Sequence, residues 1–237
     1  LDKKFFKIYK KFSPGPITYI VKKKNNSKIK PLSCANLKTV GIRFPRNKVI
    51  RKLLKKLEFP LAMPSANKSS GVSPVKPMDV FEEFNNKIKV IDGGISSIGI
   101  ESTVLNLVGK ICILRPGAIT PKQIENVLKI KLNILTKQIV VKSPGSLKKH
   151  YSPGIPIYLN KNKCPDKYAF ITFGKKFPVT RNSFNLSRKS NLNEAAKNLY
   201  KFFRSIKEKG YKKIYVAKIP NKGIGYALND RLRRASK

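Results

Sequence analysis

Residues 168–173 (YAFITF), 191–210 (NLNEAAKNLYKFFRSIKEKG) and 214–219 (IYVAKI) decide the fold of the C-terminal part of this chain. The first and third are short runs of apolar, aromatic and β-branched residues, the pattern of buried strands. Between them Leu192, Ala195, Ala196, Leu199, Phe203 and Ile206 recur at helical spacing and line one face. Asn191 suits the N-cap of that helix, and Gly210 suits the left-handed residue that ends it. Residues 223–236 add a turn and a further helix. Strand, helix, strand, helix predicts a small Rossmann-like parallel layer.

Working outward, residues 136–157 read as a linker, with Ser143-Pro144-Gly145 and Ser152-Pro153-Gly154 and little periodicity. Residues 158–237 then form the C-terminal domain and residues 1–135 an α/β domain with a twisted, open sheet. In the latter, 1–12 read as an amphipathic helix. Residues 46–58 set Val49, Ile50, Leu53, Leu54 and Leu57 on one helical face before Pro60 stops it. Residues 61–63 are expected to be a short strand ending at Pro64, and Pro77 to open a helix reaching about Asn85. Strands are expected at 88–91, 103–108 and 111–114, with Gly109-Lys110 turning between the last two. A helix over 121–129 closes the domain.

The composition narrows the function classes. With 41% apolar residues in 237, the chain can bury a sizeable core. No stretch approaches the roughly 18–20 apolar residues of a membrane helix, and the start, Leu1, has no signal-peptide pattern. Cys34, Cys112 and Cys164 are odd in number and far apart, which fits neither a disulfide framework nor a CxxC metal site. A reducing, cytoplasmic compartment without membrane contact is expected. The net charge of +40 would attract phosphates. Yet Arg supplies 10 of the 52 basic residues and Lys is spread along the chain, unlike the Arg-led surfaces that read nucleic acid. A solvated basic surface with weak RNA binding is the expectation.

There is no GxxxxGK[ST] loop and no GxGxxG after a strand, and His150 is the one histidine. A site must therefore be built from hydroxyls, amides, guanidiniums and backbone groups. Such groups recur where strands are expected to meet turns: Arg43 in Thr39-Val40-Gly41-Ile42-Arg43-Phe44-Pro45, Pro64-Ser65-Ala66-Asn67, Ser73-Pro74, Glu101-Ser102-Thr103-Val104, and Arg115-Pro116-Gly117. Each alone is more often an ordinary turn. Together, two guanidiniums and several hydroxyls converging on one cleft suit a carboxylate beside a polyphosphate.

This series, with Pro14-Gly15-Pro16-Ile17-Thr18, resembles the YrdC-like family of threonylcarbamoyl-AMP synthases. His150-Tyr151-Ser152-Pro153 resembles the family's interdomain linker, and Gly223-Ile224-Gly225 with Asn229-Asp230-Arg231-Leu232 the end of its Rossmann-like domain, so the long two-domain form is implied. The resemblance implies synthesis of threonylcarbamoyl-adenylate and pyrophosphate from L-threonine, bicarbonate and ATP. That product feeds the tRNA threonylcarbamoyl-transferase machinery, which modifies the adenosine next to the anticodon. It implies ATP contacts from Thr39, Ser65, Asn67, Ser73, Arg115, His150 and Tyr151, and threonine contacts from Arg43, the backbone at Met63, and Ser102. The linker would act as a lid, and the charge of pyrophosphate calls for Mg²⁺. The family's domain begins with strands and a Lys-x-Arg segment that nothing before Pro14 supplies. The chain is therefore expected to be N-terminally truncated and, as it stands, inactive or unstable. Two alternatives are a non-catalytic double-stranded-RNA or tRNA-binding module on the same fold, and a carbamoyl-adenylate-forming domain of the hydrogenase-maturation type, whose zinc fingers three scattered cysteines cannot make.

Overall fold

The Asp2 carboxylate accepts the Phe5 N–H at 2.9 Å and so caps helix α1 (Lys3–Phe12), which turns Phe5 and Ile8 into the core. The computed structural model describes residues 2–135 and 150–237. Two units share these residues: one runs to Pro64 and resumes at Glu101, the other joins Ser65–Ile100 to the C-terminal part.

The first unit holds a five-stranded sheet made of β1 (Ile17–Lys22), β2 (Thr39–Ile42), β3 (Thr103–Asn106), β4 (Cys112–Arg115) and β5 (Asn133–Ile134). Their spatial order is β2-β1-β3-β4-β5. β1 runs parallel to β3 and β4 to β5, while β1–β2 and β3–β4 are antiparallel. Period-two alternation sorts the residues. Ile17, Tyr19 and Val21 of β1, with Leu105 and Ile113, point into a core closed by Phe5 and Ile8 and by Ile124. Ile124 belongs to a second helix capped by Thr120, whose hydroxyl and Gln123 form a reciprocal capping box. The intervening residues, Thr18, Ile20 and Lys22, face the other side of the sheet.

Between β2 and β3 lie α2 (Lys48–Lys56), capped by the Asn47 side chain, and α3 (Pro77–Glu83), which belongs to the second unit. The Thr120-capped helix is α4 (Pro121–Leu128). The second unit builds a parallel sheet, ordered β6-β9-β7-β8, from β6 (Ile157–Tyr158), β7 (Ala169–Thr172), β8 (Ser183–Asn185) and β9 (Ile214–Val216). Helix α5 (Leu192–Glu208) is capped by Asn191, whose side chain accepts from the N–H groups of Asn193 and Glu194. It buries Ala195, Ala196, Leu199, Phe203 and Ile206, and α6 (Gly225–Ala235) completes the layer. The Rossmann-like parallel layer is thus present, next to a mixed sheet.

Two expected strands do not form. Residues 61–63 and 88–91 are irregular, and Leu61, Met63, Ile88 and Ile91 are exposed. Neither run finds a partner ladder among the described residues, and Pro60 and Pro64 have no N–H to give one. The loop 64–67 therefore does not follow a strand. Most of the linker, residues 136–149 with Ser143-Pro144-Gly145, lies outside the described residues. Among the described residues no helix is long and apolar enough to cross a membrane.

Leu105 is fully buried at the centre of the first core. Leu105→Ala should cost about 2–5 kcal/mol of unfolding free energy, measured by urea titration. A cost under about 1 kcal/mol would contradict the core described here.

Candidate active site

The site begins with the alternation of β1. Because Thr18 faces away from the core, so do the residues opposite it: Val104 in β3, and through Val104 its partner Arg115 in β4. Gly41 lies over the Thr18 and Ile20 side chains, where an added Cβ would sit 3.5 and 3.4 Å from them. Thr39 and Arg43, two residues either side of Gly41, alternate onto the same face. One face of the sheet is core; the other carries Thr18, Thr39, Arg43, Ser102 and Arg115.

Arg115 is locked by its neighbours. Its Nε and Nη2 donate to the backbone carbonyl of Ser102 at 3.2 and 3.1 Å, and Nη2 also donates to the Ser102 hydroxyl at 3.2 Å. That hydroxyl shares a 2.8 Å hydrogen bond with Thr18 Oγ1, and Ser102 is buried. The turn after Arg115 folds back on the same stretch. Thr103 Oγ1 donates to the Ile119 carbonyl at 2.6 Å and accepts from the Ile119 N–H at 3.1 Å. Gly117 is where the turn needs a glycine: a Cβ there would collide with the Thr103 nitrogen. The Thr103 N–H in turn donates to the Pro16 carbonyl at 3.0 Å.

Arg43 follows the end of β2, and its neighbour Phe44 is anchored. The Gly15 N–H donates to the Phe44 carbonyl at 2.9 Å, and the Phe44 ring meets Tyr9 edge-on with centroids 4.8 Å apart. Partial desolvation, and then the like charge of Arg115, lower the Arg43 pKa below the usual arginine value. The Arg43 side chain is nonetheless exposed, so it stays protonated at any working pH. Arg43 and Arg115 thus place two cations on the face that also carries the Thr18, Thr39 and Ser102 hydroxyls.

The remaining expected residues divide as follows. Met63 is exposed in the irregular stretch before Pro64. Ser65, Asn67 and Ser73 belong to the second unit. Asn67 is buried, donates from Nδ2 to the carbonyls of Lys68 (2.8 Å) and Gly71 (3.3 Å), and keeps its Oδ1 without a partner among the described residues. Ser65 is exposed and Ser73 half-buried. His150 is half-buried, 4.1 Å from Tyr151 between ring centroids. Tyr151 is buried in a left-handed backbone conformation (φ 64°), with the Arg231 guanidinium 5.2 Å over its ring and Tyr200 stacked at 5.9 Å. Thr18 was not expected to be a site residue. Alternation about β1 is the signal that finds Thr18, once β1 is recognised as a strand.

The Sua5–YciO–YrdC family profile, described as telomere recombination, matches residues 1–117, and the profile for the C-terminal domain of threonylcarbamoyl-AMP synthase matches 119–237. The threonylcarbamoyl-AMP synthase of Pyrococcus abyssi is 33% identical over 96% of this chain and 72% of its own length. That of Bacillus subtilis is 30% identical over 97% and 72%. The crystal structure of P. abyssi Sua5 complexed with L-threonine superposes with a TM-score of 0.88 at 28% identity, covering 100% of this chain and 74% of that one. A variant of the same archaeal protein with a His–Tyr pair changed to alanines gives 0.86 at 28%, covering 100% and 73%. With the two profiles together matching residues 1–117 and 119–237 and relatives aligned along nearly its whole length, the chain belongs to the two-domain threonylcarbamoyl-AMP synthase family.

Proposed function

We propose that this chain condenses L-threonine, bicarbonate and ATP to threonylcarbamoyl-adenylate, releasing pyrophosphate, and so supplies the activated group for threonylcarbamoyl modification of tRNA beside the anticodon. The observation that carries the reading is the pair Arg43 and Arg115 on one sheet face, with Arg115 fixed by Ser102. A guanidinium matches the planar carboxylate of an amino acid with two parallel hydrogen bonds, and a second beside it meets phosphate charge. In this assignment Arg43, Ser102 and the backbone at Met63 hold threonine. Thr39 and Arg115 serve ATP, as do Ser65, Asn67 and Ser73 and, from the C-terminal part, His150 and Tyr151. The partnerless Asn67 Oδ1 and Tyr151 hydroxyl support the latter set, since each is a buried polar atom left for a ligand to satisfy.

The chemistry asks little of side chains as acids or bases. The threonine amine and bicarbonate give a carbamate and water; a carbamate oxygen then bonds to the α-phosphorus of ATP as the bond to the leaving pyrophosphate breaks. Carbamates revert readily in water, so holding the reactants together with charge already in place supplies most of the acceleration. Among the described residues no three His, Cys, Asp or Glu side chains gather to hold a metal. Mg²⁺ accompanying the substrate would be carried chiefly by the ATP phosphates and water, as this ion usually is. A cytoplasmic setting and delivery to a tRNA-modifying transferase fit this product.

Pyrophosphate release should require threonine and bicarbonate together with ATP. Arg43→Ala should raise the threonine KM by about tenfold or more while changing ATP use little, whereas Arg115→Ala should weaken ATP use most and threonine use to a lesser degree, because it also frees Ser102. Equal losses for both substrates in both variants would refute the assigned roles, and release without threonine would refute the reaction.

A further inference from the structure

The loop that carries Ser65, Asn67 and Ser73 has no regular secondary structure, so its shape is set by side chains. Glu83 Oε1 accepts the Lys68 N–H at 3.0 Å, and Asp79 Oδ2 accepts the N–H groups of Val75 (2.7 Å) and Lys76 (3.1 Å). Both carboxylates sit on α3, with side chains 2% (Asp79) and 17% (Glu83) exposed. Two largely buried negative charges this close on one helix need a cation. The buried one is Arg204 on α5, which lies 3.6 Å from Asp79 and 3.5 Å from Glu83 and is 15% exposed, while the exposed Lys76 stands 4.0 Å from Asp79.

The same guanidinium reaches the loop directly. Arg204 Nη2 donates to the Val72 carbonyl at 2.8 Å, one residue before Ser73. Two further ties hold this segment in its unit: the Ser152 N–H donates to the Ser70 carbonyl at 2.9 Å, and Gly99, at φ 82°, packs on the α5 backbone at Ala196 and Lys197. Gly99 leaves room only for a hydrogen there, since a Cβ would strike the Ala196 carbonyl.

We propose that Arg204 is a positioning residue for nucleotide binding: it neutralises the two carboxylates that shape the loop and pins the Val72 carbonyl, so that the hydroxyls of Ser65 and Ser73 are presented in fixed places. This rests on the reading that the loop serves ATP. It assigns the C-terminal domain a task in the reaction, because the residue that fixes the loop comes from α5. Preorganisation of this kind lowers the ordering cost of binding without Arg204 itself touching substrate.

The test measures ATP and L-threonine affinities of the purified enzyme by calorimetry, with hydrogen–deuterium exchange of the loop. Arg204→Met keeps the packing of the aliphatic stem and removes the charge. It should weaken ATP binding about tenfold to a hundredfold, the range for losing charge-assisted hydrogen bonds, with threonine binding within about twofold. Amides of 66–76 should exchange faster while those of β7 and β9 stay protected. Arg204→Lys should recover part of the loss, since it restores the charge but not the fork. If Arg204→Met folds poorly, Glu83→Gln gives a milder break that leaves α5 intact and should shift ATP alone, by a few-fold. ATP and threonine weakened equally, or loop exchange unchanged, would overturn the proposal. Ser73→Ala separates the two levels. If it leaves ATP affinity unchanged, the loop is not part of the nucleotide site and the proposal falls with that reading. If Ser73→Ala weakens ATP and Arg204→Met does not, the loop reading stands and the clamp is wrong.

Discussion

The bond from the Arg115 guanidinium to the carbonyl and hydroxyl of Ser102 is the constraint on which the site of the first unit depends. It joins the last residue of β4 to the residue before β3 and, through Ser102 Oγ, to Thr18 on β1. Three neighbouring strands are thereby fixed at one end of the sheet, on the face opposite the core. A charged donor to a buried backbone carbonyl is a strong interaction, and here three contacts of one guanidinium leave it little freedom. Gly117 and the reciprocal Thr103–Ile119 bonds keep the turn from drifting away. The arrangement has an electrostatic consequence: desolvation, and after it the charge of Arg115, lower the Arg43 pKa.

The second unit solves a similar problem with opposite charges. Its nucleotide-loop candidate has no ladder or helix to define it, and carboxylates on α3 take over the role of backbone partners. Their charge is balanced from α5. In both units the polar elements are built at the ends of regular structure, where main-chain groups are otherwise unsatisfied. Positions of this kind combine rigidity with chemistry.

How much of this was legible in the sequence follows from what each signal measures. Long periodic segments were readable: α5 with its Asn191 cap, α4 with Thr120 and Gln123, and the alternation that makes β7 and β9 strands. Short apolar runs misled at 61–63 and 88–91, because apolarity reports burial or exposure to a partner, not the presence of a ladder. Among site residues, Arg43, Ser102 and Arg115 stood out by their place beside turns, and the structure brings Ser102 and Arg115 into direct contact. Thr18 was hidden, since its role depends on which face of β1 it occupies and on a partner 84 residues away. Arg204 was hidden for the same reason: on a helical wheel it is one more basic residue, and its partners lie in a segment more than 120 residues upstream.

The proposed function rests on Arg43 and Arg115 lying on one face of the sheet, where desolvation and, after it, the charge of Arg115 lower the Arg43 pKa. The most direct test is the stability of ligand-free Arg43→Gln, measured by urea unfolding beside a calorimetric threonine titration. Desolvation and the neighbouring charge both disfavour the Arg43 cation in the folded state, and it is charged in both states at neutral pH. Removing that charge is therefore expected to leave the ligand-free protein as stable or more stable, while threonine binding weakens at least about tenfold. A less stable variant that binds threonine as well as the parent would contradict the account.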